Sequence, residues 1–152
     1  MGAEQSIGIV REAIEASQRQ DWDRYRELLA EDATFRAAGV PRAIGGVLEG
    51  RDAIIEQTRQ NAAQGALEIK EIFGDESRVC VIAKLTSPTF AGNRFLRGTD
   101  RPFKTWEAIV YQVEGGRITG STAYVNWMDV YVQTGLIDTA NITATGASIS
   151  SR

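Results

Sequence analysis

No histidine occurs anywhere in the 152 residues. That absence excludes Ser-His-Asp and Cys-His nucleophile systems, His-ligated zinc, a haem with a proximal His and two-His iron sites. Proton chemistry therefore falls to Asp, Glu, Tyr, Lys or bound water. Cysteine occurs once, as Cys80, so no internal disulfide forms. Its setting, Val79-Cys80-Val81-Ile82-Ala83, is that of a thiol packed in a buried strand. An excess of one charge is also missing: 17 Lys plus Arg face 20 Asp plus Glu, for a net charge of −3. Nucleic acid binding needs a basic face that releases counterions, and scattered basic residues supply none. Long apolar runs are lacking too, and Met1 to Val10 has no basic segment leading into one, so we expect neither a secretory signal nor membrane insertion and place the protein in the cytoplasm. A bare myristoylation pattern at Gly2 lacks a second membrane signal, and Asn141-Ile142-Thr143 spells a glycosylation acceptor that only a secretory route would use.

What is present is ordinary for a globular domain: 43% hydrophobic and 24% charged residues. Chains of this length bury roughly two-thirds of their unfolded surface, enough for one core. Ile7, Val10, Ala13, Ile14 and Ser17 recur at helical spacing. A second helix is capped by Asp21 and buries Trp22, Tyr25, Leu28 and Leu29. Asp32 to Ala38 is a short strand, Gly39 to Gly50 a loop, and Arg51 to Ala63 a third helix with Ile54, Ile55, Thr58 and Ala62 on one face. Four strands follow, Leu67–Phe73, Arg78–Ser87, Phe103–Glu114 and Arg117–Trp127. Gly74 to Ser77 and Glu114 to Arg117 are hairpin loops, and Pro88 to Pro102 is a longer connection carrying Phe90, Arg94 and Phe95. Helices followed by consecutive antiparallel strands give an α+β fold with three N-terminal helices packed on a curved sheet. We expect residues 1–137 to form a single domain and 138–152, almost all Ser, Thr, Ala, Gly and Ile, to be a flexible tail.

Three stretches carry a family resemblance: Asp21 to Phe35, Leu48-Glu49-Gly50-Arg51-Asp52-Ala53-Ile54, and Val113-Glu114-Gly115-Gly116-Arg117-Ile118 running on to Gln133-Thr134-Gly135-Leu136. In order and spacing the chain resembles the nuclear transport factor 2-like superfamily, and within it the SnoaL-like branch. The resemblance implies a cone-shaped barrel with its mouth between helices and sheet, and a homodimer. It also implies where chemistry would sit. The ketosteroid isomerase Tyr, Asp and second acid correspond to Ala13, Ala37 and Ala108. The Asp-Arg-Asp set of limonene-epoxide-hydrolase-like proteins falls near Leu85, Ala83 and Ala123, and the SnoaL-like cyclases' Asp also at Ala123. The frame is therefore similar while its known catalytic positions hold apolar residues.

Alternation puts Phe35, Ala37, Val81, Ala83, Leu85, Trp106, Ala108, Val110, Ala123, Val125 and Trp127 on the concave face, against which the bland reading is plain core. Trp106 and Trp127 are candidates to grip a flat hydrophobic substrate. Trp22, Phe35, Tyr25 from the second helix and Thr58 from the third join them as binding candidates. Glu107, in mid-strand, is a catalytic candidate because burial would raise its pKa into the general acid–base range; the alternative is a cross-strand ion pair with Lys84 or Arg78. Tyr124 and Asn126 are candidates for an oxyanion-stabilising pair, against an equal claim for the convex face as a dimer surface. Asp129 is expected to cap a short terminal helix. Asp21/Asp23, Glu31/Asp32 and Asp75/Glu76 lie in helix starts and turns, so we expect no metal; glycines 45, 46, 50, 115 and 116 do not follow a strand and open a helix, so we expect no nucleotide cofactor. The leading expectation is a cofactor-free cyclase or isomerase acting on a hydrophobic polyketide-like or terpenoid-like intermediate, largely by folding the substrate. An epoxide hydrolase-like water-activating enzyme and a non-catalytic small-molecule-binding module are the alternatives.

Overall fold

The computed structural model describes residues 2–40, 42–89, 92 and 97–138. Phe90, Arg94, Phe95, the Asn141 acceptor and the tail beyond Asp138 lie outside these described residues. Helix α1 spans Ala3–Gln18 and α2 Trp22–Leu28. Strand β1 (Leu29–Ala37) follows directly, then a 3₁₀ turn at Arg42–Ile44, β2 (Val47–Glu49) and α3 (Arg51–Ala62). Strands β3 (Ala66–Gly74), β4 (Arg78–Ser87), β5 (Phe103–Glu114) and β6 (Arg117–Val125) complete the sheet, and α4 (Trp127–Thr134) closes the described chain.

The sheet order is β2-β1-β6-β5-β4-β3. Neighbours from β6 to β3 pair antiparallel as expected, but β1 runs parallel to β6, so the sheet is mixed, and the first and last strands do not meet to close a barrel. The expected loop before α3 holds a real strand, since β2 pairs with β1 through Phe35 and Leu48. Gly50 then sits between β2 and α3 with φ 90°, so one glycine does join a strand to a helix, contrary to expectation; it stands alone, without a glycine-rich loop around it.

Local chemistry explains the boundaries. Asp21 caps α2 by accepting from the Arg24 N–H at 3.1 Å. Gly115 and Gly116, with φ 57° and 79°, make the two-residue turn between β5 and β6 that needs both central residues left-handed. Asp75 holds the β3–β4 turn by accepting from the N–H groups of Ser77 and Arg78, which keeps its carboxyl below the usual range. Register shifts in β1, β3 and near Gln112 mark bulges that bend the sheet. Val10 and Ile14 of α1, Leu28, Ile54 and Ile55 pack on Val79, Val81, Val113 and Ile118. A second cluster, Phe103 and Val130 with Leu85, Val125 and Trp127, seats α4 at the open end. No described helix is long and apolar enough to cross a membrane.

Candidate functional site

Between the concave sheet face and the helices lies a cavity of about 200 Å³. Its wall is mainly apolar: Ala13 and Ile14 of α1, Phe35 and Ala37 of β1, Leu85, Ile109, Ala123, Val125 and Trp127. Among the described lining residues there is no lysine or arginine, and Glu107 is the single acid.

Strand alternation puts Glu107 there. In β5 the residues Phe103, Thr105, Glu107 and Ile109 are buried. Glu107 is 9% exposed, and among the described residues no side chain donates a hydrogen bond or forms an ion pair with it. Desolvation raises its pKa from 4.5 to about 7. The cross-strand ion pair does not form, because Lys84 projects from the opposite face and covers the Trp106 ring at 5.0 Å. Four residues along the same strand face, Tyr111 also lines the cavity; burial, Tyr25 and Glu107 hold its hydroxyl protonated well above the ordinary phenol range. Tyr25, also in the lining, lies 3.4 Å from the Thr58 hydroxyl, which donates its own hydrogen to the Ile54 carbonyl at 2.8 Å. Thr58 has no second hydrogen to give, so Tyr25 is the donor in that pair.

Of the candidates, Glu107, Phe35, Tyr25, Thr58 and Trp127 are brought together on this wall. Trp127 is held by its indole N–H donating to the Ala38 carbonyl at 2.9 Å and by stacking on Tyr131. Trp22 does not line the cavity: it packs edge-on against Tyr25 and under the Arg59 guanidinium. Trp106 and Tyr124 are corrections. They stand on the outer face, 52% and 55% exposed, and so do the half-buried Ala108 and Val110, because the inward set of β5 is one residue out of step with the expected one. Asn126 is an exposed helix cap, accepting from the Asp129 N–H at 3.2 Å, so Asn126 rather than Asp129 caps α4. Cys80 is half-buried on the outer face rather than in the core.

Tyr111 was not among the candidates, nor was Gln57, which is 6% exposed on α3 and lines the cavity. The signal for Tyr111 was its even spacing from Glu107 on one strand. For Gln57 no comparable signal exists, since a glutamine among Glu56, Thr58 and Arg59 looks like a solvated helix face. Ala13, Ala37 and Ala123, where the resemblance places catalytic groups, do line the cavity, as methyl groups. Among the described residues, no cluster of acidic, cysteine or histidine side chains capable of holding a metal is formed.

Residues 10–121 match the family model of the SnoaL-like domain. Solved structures resemble the whole architecture. A protein of Jannaschia sp. CCS1 assigned as a SnoaL-like polyketide cyclase superposes with TM-score 0.75 at 12% identity, covering 90% of this chain and 95% of that one. Bal32a, from a soil-derived mobile gene cassette, gives TM-score 0.71 at 20% identity over 86% and 97%. An LEH-like epoxide hydrolase of M. tuberculosis gives 0.67 at 19% over 88% and 92%. At these identities the likeness extends to the fold. No protein of curated function matches the sequence.

Proposed function

This chain belongs to the SnoaL-like domain family, and from that premise we propose that it is a cofactor-free isomerase or cyclase moving a proton on a small hydrophobic carbonyl compound, with Glu107 as the general base. The observation that supports this is an unpaired carboxyl in an apolar wall with a pKa of about 7. Such a group is partly ionised near neutrality and can both take and return a proton. Glu107 would remove a proton from the carbon next to the carbonyl, and the electron pair would move onto the carbonyl oxygen. The protonated Tyr111 hydroxyl would donate a hydrogen bond to that oxygen. Return of the proton from Glu107 to another carbon completes an isomerisation; attack of the enolate carbon on a second carbonyl within the same guest, with the Glu107 proton passing to the alkoxide oxygen so formed, completes a cyclisation. The polyketide-like or terpenoid-like nature of the guest is part of this proposal. An engineered cavity of about 150 Å³ accepts benzene, so a site of about 200 Å³ suits a monocyclic or short-chain guest better than a flat polycycle. Water activation on an epoxide by an acid pair fits less well, because Glu107 has no second acid beside it in the described wall.

The test is conversion of 3-cyclohexen-1-one to its conjugated isomer, followed by absorbance. Activity should rise with an apparent pKa near 7, and Glu107→Gln should lower it by about a hundredfold or more. Binding of the ketone without conversion would instead make the protein a non-catalytic binding module.

The same reading takes the protein as a cytoplasmic homodimer joined through the outer sheet face. Phe73, Trp106 and Tyr124 are each more than half exposed there, beside half-buried Ile82 and Val110. Glu71 and Lys84 flank them, so the face carries both signs and is complementary to a second copy of itself.

A further inference from the structure

The cavity has a second polar pole that the proton-transfer chemistry does not use. Gln57 is buried at 6% exposure, yet its side chain reaches the cavity wall. Its Nε2 donates to Asn61 Oδ1 at 3.1 Å, one helical turn on, and Asn61 lines the same cavity at its rim. That bond uses one hydrogen of one amide and one lone pair of the other. Among the described residues neither side chain has another partner, so Gln57 Oε1 and the Asn61 amide hydrogens remain unspent. Exchanging oxygen and nitrogen in both amides leaves the account the same: the pair still offers an acceptor and donors. The spare capacity of this nine-tenths-buried amide is therefore open to whatever fills the cavity, whose described wall carries Ser17, Gln18, Thr58 and Gln64 as further polar groups.

We propose that Gln57 and Asn61 form a neutral recognition subsite for a hydroxyl group on the guest, so that the substrate is a hydroxylated carbonyl compound. A hydroxyl both donates and accepts, which matches the acceptor and donors left open. A carboxylate matches poorly, because it only accepts, no lysine or arginine among the described lining residues offsets its charge, and Glu107 shares the cavity. The subsite lies on α3 and Glu107 on β5, so a guest held at both is fixed in direction as well as depth. This assignment rests on the cavity being the substrate site proposed above.

The experiment compares 4-hydroxyacetophenone with its isostere 4-methylacetophenone and with 4-acetylbenzoate, by calorimetry at pH 6, where the phenol is neutral. The wild type should bind the hydroxyl compound about tenfold more tightly than the methyl one, and the carboxylate least. Gln57→Leu should erase the preference while keeping or improving affinity for 4-methylacetophenone. Asn61→Ala, at the exposed rim, should reduce it without disturbing the fold, and serves if Gln57→Leu does not fold. An unchanged ratio in the folded variants, or no binding of either neutral probe to the wild type, overturns the subsite. Glu107→Gln separates the two proposals: loss of isomerisation with the hydroxyl preference intact is expected if both hold. Isomerisation without a hydroxyl preference sinks the subsite alone. A hydroxyl preference with no isomerisation by the wild type sinks the proton-transfer reading and leaves the subsite standing.

Discussion

Burial of Glu107 makes the folded protein hold a proton that the unfolded chain would release. Its folded pKa of about 7 lies above the ordinary 4.5, so between those values the native state binds more protons than the unfolded one. Stability from this group is therefore present at low pH and falls as pH rises through about 7. The full effect is on the order of 3 kcal/mol, from about 1.36 kcal/mol per pKa unit. Thermal melts should show the wild type losing stability from pH 5 to pH 8, and Glu107→Gln should lose much less over the same interval. Parallel curves for the two proteins would mean that Glu107 is solvated in solution. Asp75 works in the opposite sense, since its pKa is depressed by the turn N–H groups; what it contributes is lost only on strong acidification.

Secondary-structure elements carry a second set of consequences. Helix α4 is only eight residues long, so it depends on its ends. Asn126 caps its start, and Gly135 ends it at φ 76°, a left-handed conformation beside the Arg101 guanidinium that leaves no room for an added Cβ unless that side chain moves. Asn126→Ala should cost about 1 kcal/mol. It should also change the fluorescence of Trp127, the next residue, which lines the cavity; an unaltered melt and spectrum would mean that Asn126 does not cap. Strand β5 shows why the sequence does not tell its two faces apart. Lys104 to Tyr111 carries apolar or aromatic residues at odd and even positions alike, so the period of two is visible but its phase is not. Glu107 and Trp106 were both candidates there, and adjacent strand residues cannot both face one cavity.

For the whole molecule, the outer face decides association. If two copies pack through it, Tyr124→Glu and Trp106→Glu should each convert a dimer to a monomer in sedimentation, while binding of 4-methylacetophenone survives because neither side chain lines the cavity. A wild type that sediments as a monomer at high concentration would reject the dimer. Breaking the interface leaves each cone intact, since its core clusters lie on the concave side and under α4.

The sequence by itself determined the absence of histidine chemistry, which is a matter of composition, and the order of elements, the Asp21 cap and the turns at Asp75 and Gly115-Gly116, because each of those elements depends on residues close together in the chain. The likeness to the SnoaL-like family was legible too, since the stretches that carry it are contiguous in the chain. Only the tertiary structure decided the parallel pairing of β1 with β6, the inward turn of Glu107 and Tyr111, and the meeting of both with Tyr25, Gln57 and Trp127 around one cavity. Those outcomes depend on which of two apolar strand faces the helices cover, and that choice is made by packing between segments far apart in the chain.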